Sequence, residues 1–182
     1  TMLWYYSDNG PAPQRASDRA VGRTGGLRER KGSLYEGGIR VPGILEWPAR
    51  VPPGETNVPC TTSDYYPTVL DLLNLDLPRR QQPLDGLSLA PLLHQHMERR
   101  PRPIAFCFHH QAALVDNRFK LITPDRHGAP YELYDLLNDP GETNDCVKAH
   151  PETAARMRAI LEKWLASVER ERETAKSLDF RP

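Results

Sequence analysis

Residues 2–6, Met-Leu-Trp-Tyr-Tyr, are apolar at every position rather than at every second one. That pattern predicts a strand covered on both faces. It ends at Ser7-Asp8-Asn9-Gly10, which the strand delivers to the rim of a sheet. Few other runs can flank it, and Ile39 to Trp47, closed by Pro48, is the best candidate. With so few strands the sheet would have open edges, so its missing strands are expected in a part that precedes Thr1. Residues 11–30 are rich in Pro, Gly, Arg and Ser without periodicity, and read as a long loop. A helix is predicted over about 64–75, capped by Thr62 or Ser63, with Pro67 in its first turn and Val69, Leu70, Leu72 and Leu73 on the buried side. Leu84-Asp85-Gly86 reads as a turn, and Ser88 as the cap of a short helix through Leu93.

The pattern changes at Glu98-Arg99-Arg100-Pro101-Arg102-Pro103. Two parts are therefore expected: residues 1–98, the end of a large α/β domain, and residues 99–182, a small α+β subdomain. In the second part Ile104–Phe108, Ala112–Val115, Phe119–Thr123 and Glu132–Leu136 are short strands, with Asp116-Asn117-Arg118 a hairpin turn. From Pro151 onward Ala154, Met157, Ile160, Leu161, Trp164, Leu165 and Val168 recur at helical spacing. This stripe is read as the face that packs on the small sheet, and the following Glu-Arg-Glu-Arg-Glu run as its solvated end.

Composition narrows the classes. The 182 residues suit one domain or one and a half. Lys+Arg and Asp+Glu both number 24, so charge gives no reason to expect a nucleic acid. No apolar stretch approaches the roughly 20 residues that span a bilayer. Cys60, Cys107 and Cys146 are scattered, which argues against a disulfide framework and a structural zinc site. His94, His96, His127 and His150 show no metal-ligand spacing.

Two segments carry candidate chemistry. Asp8 and Asn9 offer hard oxygen donors of the kind a divalent cation takes, although Asp-Asn-Gly is also an ordinary turn sequence. Lys31 stands beside the glycine-rich Gly32-Ser33-Leu34-Tyr35-Glu36-Gly37-Gly38 segment, which suits an anionic group held close to backbone. The order Lys-Gly-Ser excludes a phosphate-binding P-loop. Glu36 and Arg40 are read as an ion pair bracing the turn, and Gly37 and Gly38 as serving backbone geometry.

In sum these segments resemble the sulfatase family of the alkaline-phosphatase-like superfamily. Asp64 with Tyr66-Pro67-Thr68 is similar to its Asp-x-x-Pro-Thr helix, and Leu84-Asp85-Gly86-Leu87-Ser88-Leu89 to its Asp-Gly-x-Ser-Leu segment. Phe119-Lys120-Leu121-Ile122, Glu132-Leu133-Tyr134-Asp135-Leu136 and Asn138-Asp139-Pro140-Gly141-Glu142-Thr143-Asn144 are similar to its C-terminal signature. The order is preserved over about residues 1–165. The resemblance implies the C-terminal part of an alkaline-phosphatase-like α/β sandwich, followed by a small antiparallel sheet packed on a C-terminal helix.

It also implies a sulfuric ester hydrolase acting on an aryl sulfate or sulfated carbohydrate. Asp8 and Asn9 would be calcium ligands and Lys31 the lysine that contacts the sulfate. The family's nucleophile is a formylglycine made from a Cys/Ser-x-Pro/Ala-x-Arg motif. That motif is absent from these residues, so the chain by itself is expected to be inactive and to need the N-terminal half of the enzyme. The implied location is periplasmic, extracellular or lysosomal. Arg23, Arg28 and Arg30 either read a sulfated sugar or are solvated; Glu29-Arg30 stands where the family often has small residues. His110 is either a substrate-side group or a structural histidine. A phosphoester or phosphonate hydrolase of the same superfamily, or a non-catalytic fragment, is the alternative.

Overall fold

The structure is a computed structural model that describes residues 1–13, 22–75, 84–94 and 96–177. In chain order its elements are β1 (Leu3–Tyr6), α1 (Glu36–Ile39), β2 (Gly43–Glu46), α2 (Tyr65–Leu72), α3 (Ala90–Leu93), β3 (Ile104–Phe108), β4 (Gln111–Asp116), β5 (Phe119–Thr123), β6 (Glu132–Asp135) and α4 (Pro151–Ser177). Two compact units form: Thr1–Asn9 with Val41–Ile104, and Gly10–Arg40 with Ala105–Pro182. Of the predicted loop over 11–30, residues 14–21 lie outside the described residues. Among the described residues no helix is long and apolar enough to cross a membrane.

In the first unit β1 and β2 pair antiparallel, Tyr5 opposite Ile44 and Leu3 opposite Glu46. One face of β1 is covered within this unit. Trp4 and Tyr6 pack on the Tyr65 ring at centroid distances of 3.9 and 4.5 Å. On the opposite face Leu3, Tyr5 and Ile44 are exposed. The continuous apolar run thus has one covered face among the described residues. The second strand is also shorter than expected, because Ile39 closes α1 and Pro42 separates that helix from Gly43.

The following helix is entered through a 3₁₀ turn at Thr62–Asp64, whose capping box pairs Thr61 with Asp64, so the cap is one residue earlier than predicted. Pro67, Thr68 and Leu70 are its buried residues, whereas Val69 and Leu73 are exposed. The buried polar Thr68 explains the shift of face: its hydroxyl donates to the Asp64 carbonyl (2.6 Å) and accepts the Leu89 amide (2.9 Å). Asp64 is fully buried. It accepts from the Thr61 and Leu87 amides (2.8 and 2.9 Å) and from both ends of the Arg100 guanidinium (2.7 and 2.8 Å). Such a bidentate pair satisfies a carboxylate that would otherwise be costly to bury. The Ser88 hydroxyl accepts the Ala90 amide at the start of α3 (3.1 Å), but the cap position itself falls on Leu89, one residue later than predicted.

The second unit is built on a four-stranded antiparallel sheet in the order β3-β4-β5-β6. Ala112, Leu114, Leu121 and Leu133 on one face form a core with Ala154, Met157 and Leu161 of α4. Ala113, Ile122 and Tyr134 on the other face pack with Leu34 and Tyr35. Burial on both faces is why β4 reads as an unbroken apolar run. The β4–β5 turn puts Asn117 at a φ of 53°, a conformation asparagine tolerates well. Arg118 then bridges to Asp135 (2.5 Å) and holds the Asp135 carboxyl far below its ordinary range.

Leu161 has no solvent exposure and belongs to the α4–sheet core. Leu161→Ala is expected to destabilise the chain by about 2–5 kcal/mol, read as a lower urea midpoint with unchanged slope.

Candidate functional site

In the first unit, β1 carries Asp8 and Asn9 just beyond its end. Asp8 is exposed and Asn9 partly so. The Ser7 hydroxyl is within reach of the Asn9 carbonyl (2.9 Å) and, more weakly, of Asp8 Oδ1 (3.4 Å). This fixes the local turn while leaving carboxylate oxygens in solvent.

In the second unit, Lys31 is exposed on a turn whose backbone is closely held. Its amide donates to the Pro11 carbonyl (3.1 Å), and the Ser33 amide to Arg30 (3.1 Å). The Gln111 side chain clamps the turn from the sheet: its Nε2 donates to Gly32 O (3.2 Å), and its Oε1 accepts the Leu34 amide (2.9 Å). An open depression of about 490 Å³ is lined by Glu29, Arg30, Lys31, Gly32 and Ser33, with Pro13, Thr24 and Leu27.

Directly after this turn the glycine-rich segment folds as the short helix α1. A Cβ on Gly37 would overlap the Arg28 and Glu29 carbonyls, and one on Gly38 the Ser33 carbonyl. The close approach is used, since the Gly37 amide donates to Arg28 O (2.7 Å) and the Gly38 amide to Tyr35 O (2.8 Å). Arg40 lies 3.8 Å from Glu36, the predicted ion pair. The nearer partner is Lys120.

Lys120 is fully buried, with its Nζ 3.0 Å from Glu36 and 2.8 Å from Glu142. Glu142 in turn accepts the Glu36 backbone amide (2.6 Å). Burial pushes the Glu142 carboxyl above its ordinary value, against the opposing pull of Lys120. One ammonium between two carboxylates therefore locks α1, and the lysine turn before it, to the sheet.

Arg28 is occupied by the unit itself. It lies over the Tyr35 ring (3.8 Å), donates to the Tyr134 hydroxyl (2.8 Å) and sits 3.7 Å from Glu132. Glu132 also accepts from the Tyr35 and Tyr134 hydroxyls (2.6 and 2.7 Å). Desolvation and this carboxylate raise both phenol pKa values well above the usual. Arg30 donates to Gly22 O (2.9 Å) and Ala12 O (3.2 Å). His110 is exposed at the β3–β4 turn, where its ring faces that of His127.

Comparison with known proteins then places the chain. Residues 29–171 match the family N-sulphoglucosamine sulphohydrolase, C-terminal. This chain belongs to the sulfatase family. A sulfatase of Formosa agariphila is 31% identical over 91% of this chain and 33% of its own length. An N-acetylgalactosamine-6-O-sulfatase of Bacteroides thetaiotaomicron is 31% identical over 89% of this chain and 36% of its own. The structure of Ps i-CgsB in complex with k-i-k-neocarrahexaose is similar at TM-score 0.76 and 30% identity, covering 90% of this chain and 36% of that one. The chain spans about a third of the length of these sulfatases and corresponds to their C-terminal portion.

Glu132 and Glu142, which lie in the two segments that resemble the family's C-terminal signature, are two of the residues that hold the lysine turn. Sequence reading singled out neither, nor Lys120 and Gln111. Only a lysine in an otherwise apolar strand, Phe119-Lys120-Leu121-Ile122, signalled a buried charge.

Lys120→Met leaves two buried carboxylates without their cation and is expected to destabilise the chain by about 3–5 kcal/mol at neutral pH. In that variant Glu142, which burial already raises above its ordinary value, loses the opposing pull of Lys120 and rises further above its unfolded pKa. Protonation then favours the native state, so the deficit shrinks as pH falls from about 7 toward about 5. Urea unfolding at the two pH values checks this.

Proposed function

We propose that this chain is the C-terminal portion of an enzyme that hydrolyses sulfate esters of a carbohydrate, with Lys31 as the group that contacts the sulfate. The observation that carries the reading is the Lys31 turn: an exposed ammonium on a backbone pinned by Gln111 and the Lys120 ion pairs, in a chain of the sulfatase family. An ammonium carried on a backbone fixed beforehand can stabilise charge developing on a sulfate oxygen. The carbohydrate assignment draws support from the relatives named for N-acetylgalactosamine-6-O-sulfatase activity and for a bound neocarrahexaose.

Asp8 and Asn9 are proposed as ligands of a calcium ion. Their chemistry fits, since a carboxylate and an amide oxygen are hard donors and Asp8 is solvent-accessible. They are two of the six to eight oxygens such an ion takes. When bound, calcium would polarise the sulfate. The nucleophile, a formylglycine, is proposed to come from the preceding part of the enzyme, which is this chain's principal partner; a periplasmic, extracellular or lysosomal setting goes with that assignment. Arg28 and Arg30 are proposed to brace the lysine turn rather than to read the sugar, because both donate to partners within the unit. Sulfate contact is assigned to Lys31 and not to His110.

In the whole enzyme Lys31→Ala is expected to lower kcat/KM for a sulfate ester by about 10²–10³-fold, comparable to loss of one oxyanion donor, while the chain alone shows no turnover. Unchanged kcat/KM in the variant, or turnover by the chain alone, would overturn the assignment. Preference for the matching phosphate ester would replace it with a phosphoester hydrolase.

A further inference from the structure

The β4–β5 register pairs Ala112 with Thr123. Continued outward, it sets His110 opposite Asp125, with His127 two residues further on. The side chains do converge: donor atoms of His110, Asp125 and His127 all lie within 4.8 Å of one another. The two imidazole rings are 5.3 Å apart, centroid to centroid, and steeply inclined.

The backbone beneath them is stitched on both sides. The Arg126 amide donates to His110 O (2.7 Å), and the Arg126 guanidinium to His109 O (3.0 Å). The Thr123 hydroxyl donates to the Asp125 carbonyl (3.0 Å), and the Ala129 amide donates to the same carbonyl (2.9 Å). Asp125 Oδ1 accepts the His127 amide (3.0 Å), which orients the carboxylate and leaves Oδ2 for another partner.

From this geometry we infer a surface site for a borderline transition-metal ion of the zinc class, held by His110, Asp125 and His127. Two imidazole nitrogens and one carboxylate oxygen are the donor set that Zn²⁺ accepts. Calcium and magnesium, which take oxygen donors, are disfavoured there. Three protein donors leave a fourth tetrahedral position for water or an incoming ligand. The site is independent of the calcium proposed at Asp8 and Asn9: it draws on other residues and other donor atoms, and does not rest on the sulfatase assignment.

The test is titration of the purified chain with Zn²⁺ against a chromogenic chelator. One equivalent is expected to bind, with His110→Ala and His127→Ala each weakening it at least tenfold. A His94→Ala/His96→Ala variant and a Cys107→Ser variant should bind as the parent does. Imidazole ring resonances of the unaltered chain provide a check that needs no variant: those of His110 and His127 should shift on Zn²⁺ addition while that of His150 stays. Equal binding by parent and His127→Ala, or ring shifts confined to other histidines, would overturn the site.

Discussion

The Lys120 ammonium lies without solvent exposure between Glu36, five residues past Lys31, and Glu142, in the segment beyond β6, and three pieces of chain distant in sequence are fastened through it. A buried ion pair is weak evidence for net stability, because desolvation offsets much of the attraction. Its effect here is on specificity of placement. With Lys120 fixed by strand register opposite Tyr134 and Val115, Glu36 has one position in which its charge is answered. The Glu36 amide bonded to Glu142 makes that position more exacting still. Gly37 and Gly38 permit the close backbone approach that follows.

The same unit shows a division of roles among its cations. Lys120 is buried and Arg28 is enclosed by two phenols and a carboxylate, so both are accounted for by folding. Lys31 is exposed, and the contacts around it among the described residues hold its backbone. A lysine on so constrained a backbone is placed to meet an external anion. In the first unit Asp64, Thr68 and Arg100 form a corresponding buried polar network, whose role is to join α2 to the Gly86–Leu89 segment and not to act on a ligand.

Much of the second unit was legible in the sequence because its signals are local. Short apolar runs and turn residues marked β3 to β6 to within a residue or two, and the Ala154–Leu165 stripe marked α4 and its buried face. The misreadings have physical causes. On α2 Leu70 is buried as expected while Val69 and Leu73 are exposed; Thr68, which the apolar pattern passes over, is buried because its hydroxyl is satisfied twice. The His110, Asp125 and His127 group was missed because its members approach through strand register, with no spacing in sequence to betray it. Lys120 and Glu142 escaped for the same reason: each charge makes sense only beside a partner at least 22 residues away in the chain.

Lys31 can serve as proposed only if this chain, by itself, preassembles the lysine turn. Amide hydrogen exchange of the Glu36, Gly37 and Gly38 backbone measures this directly. Protection comparable to that of the β4 and β5 core amides is the predicted result, since these amides are bonded within the same cooperative unit. Exchange of the three at the rate of an unstructured loop, alongside a protected sheet, would contradict it.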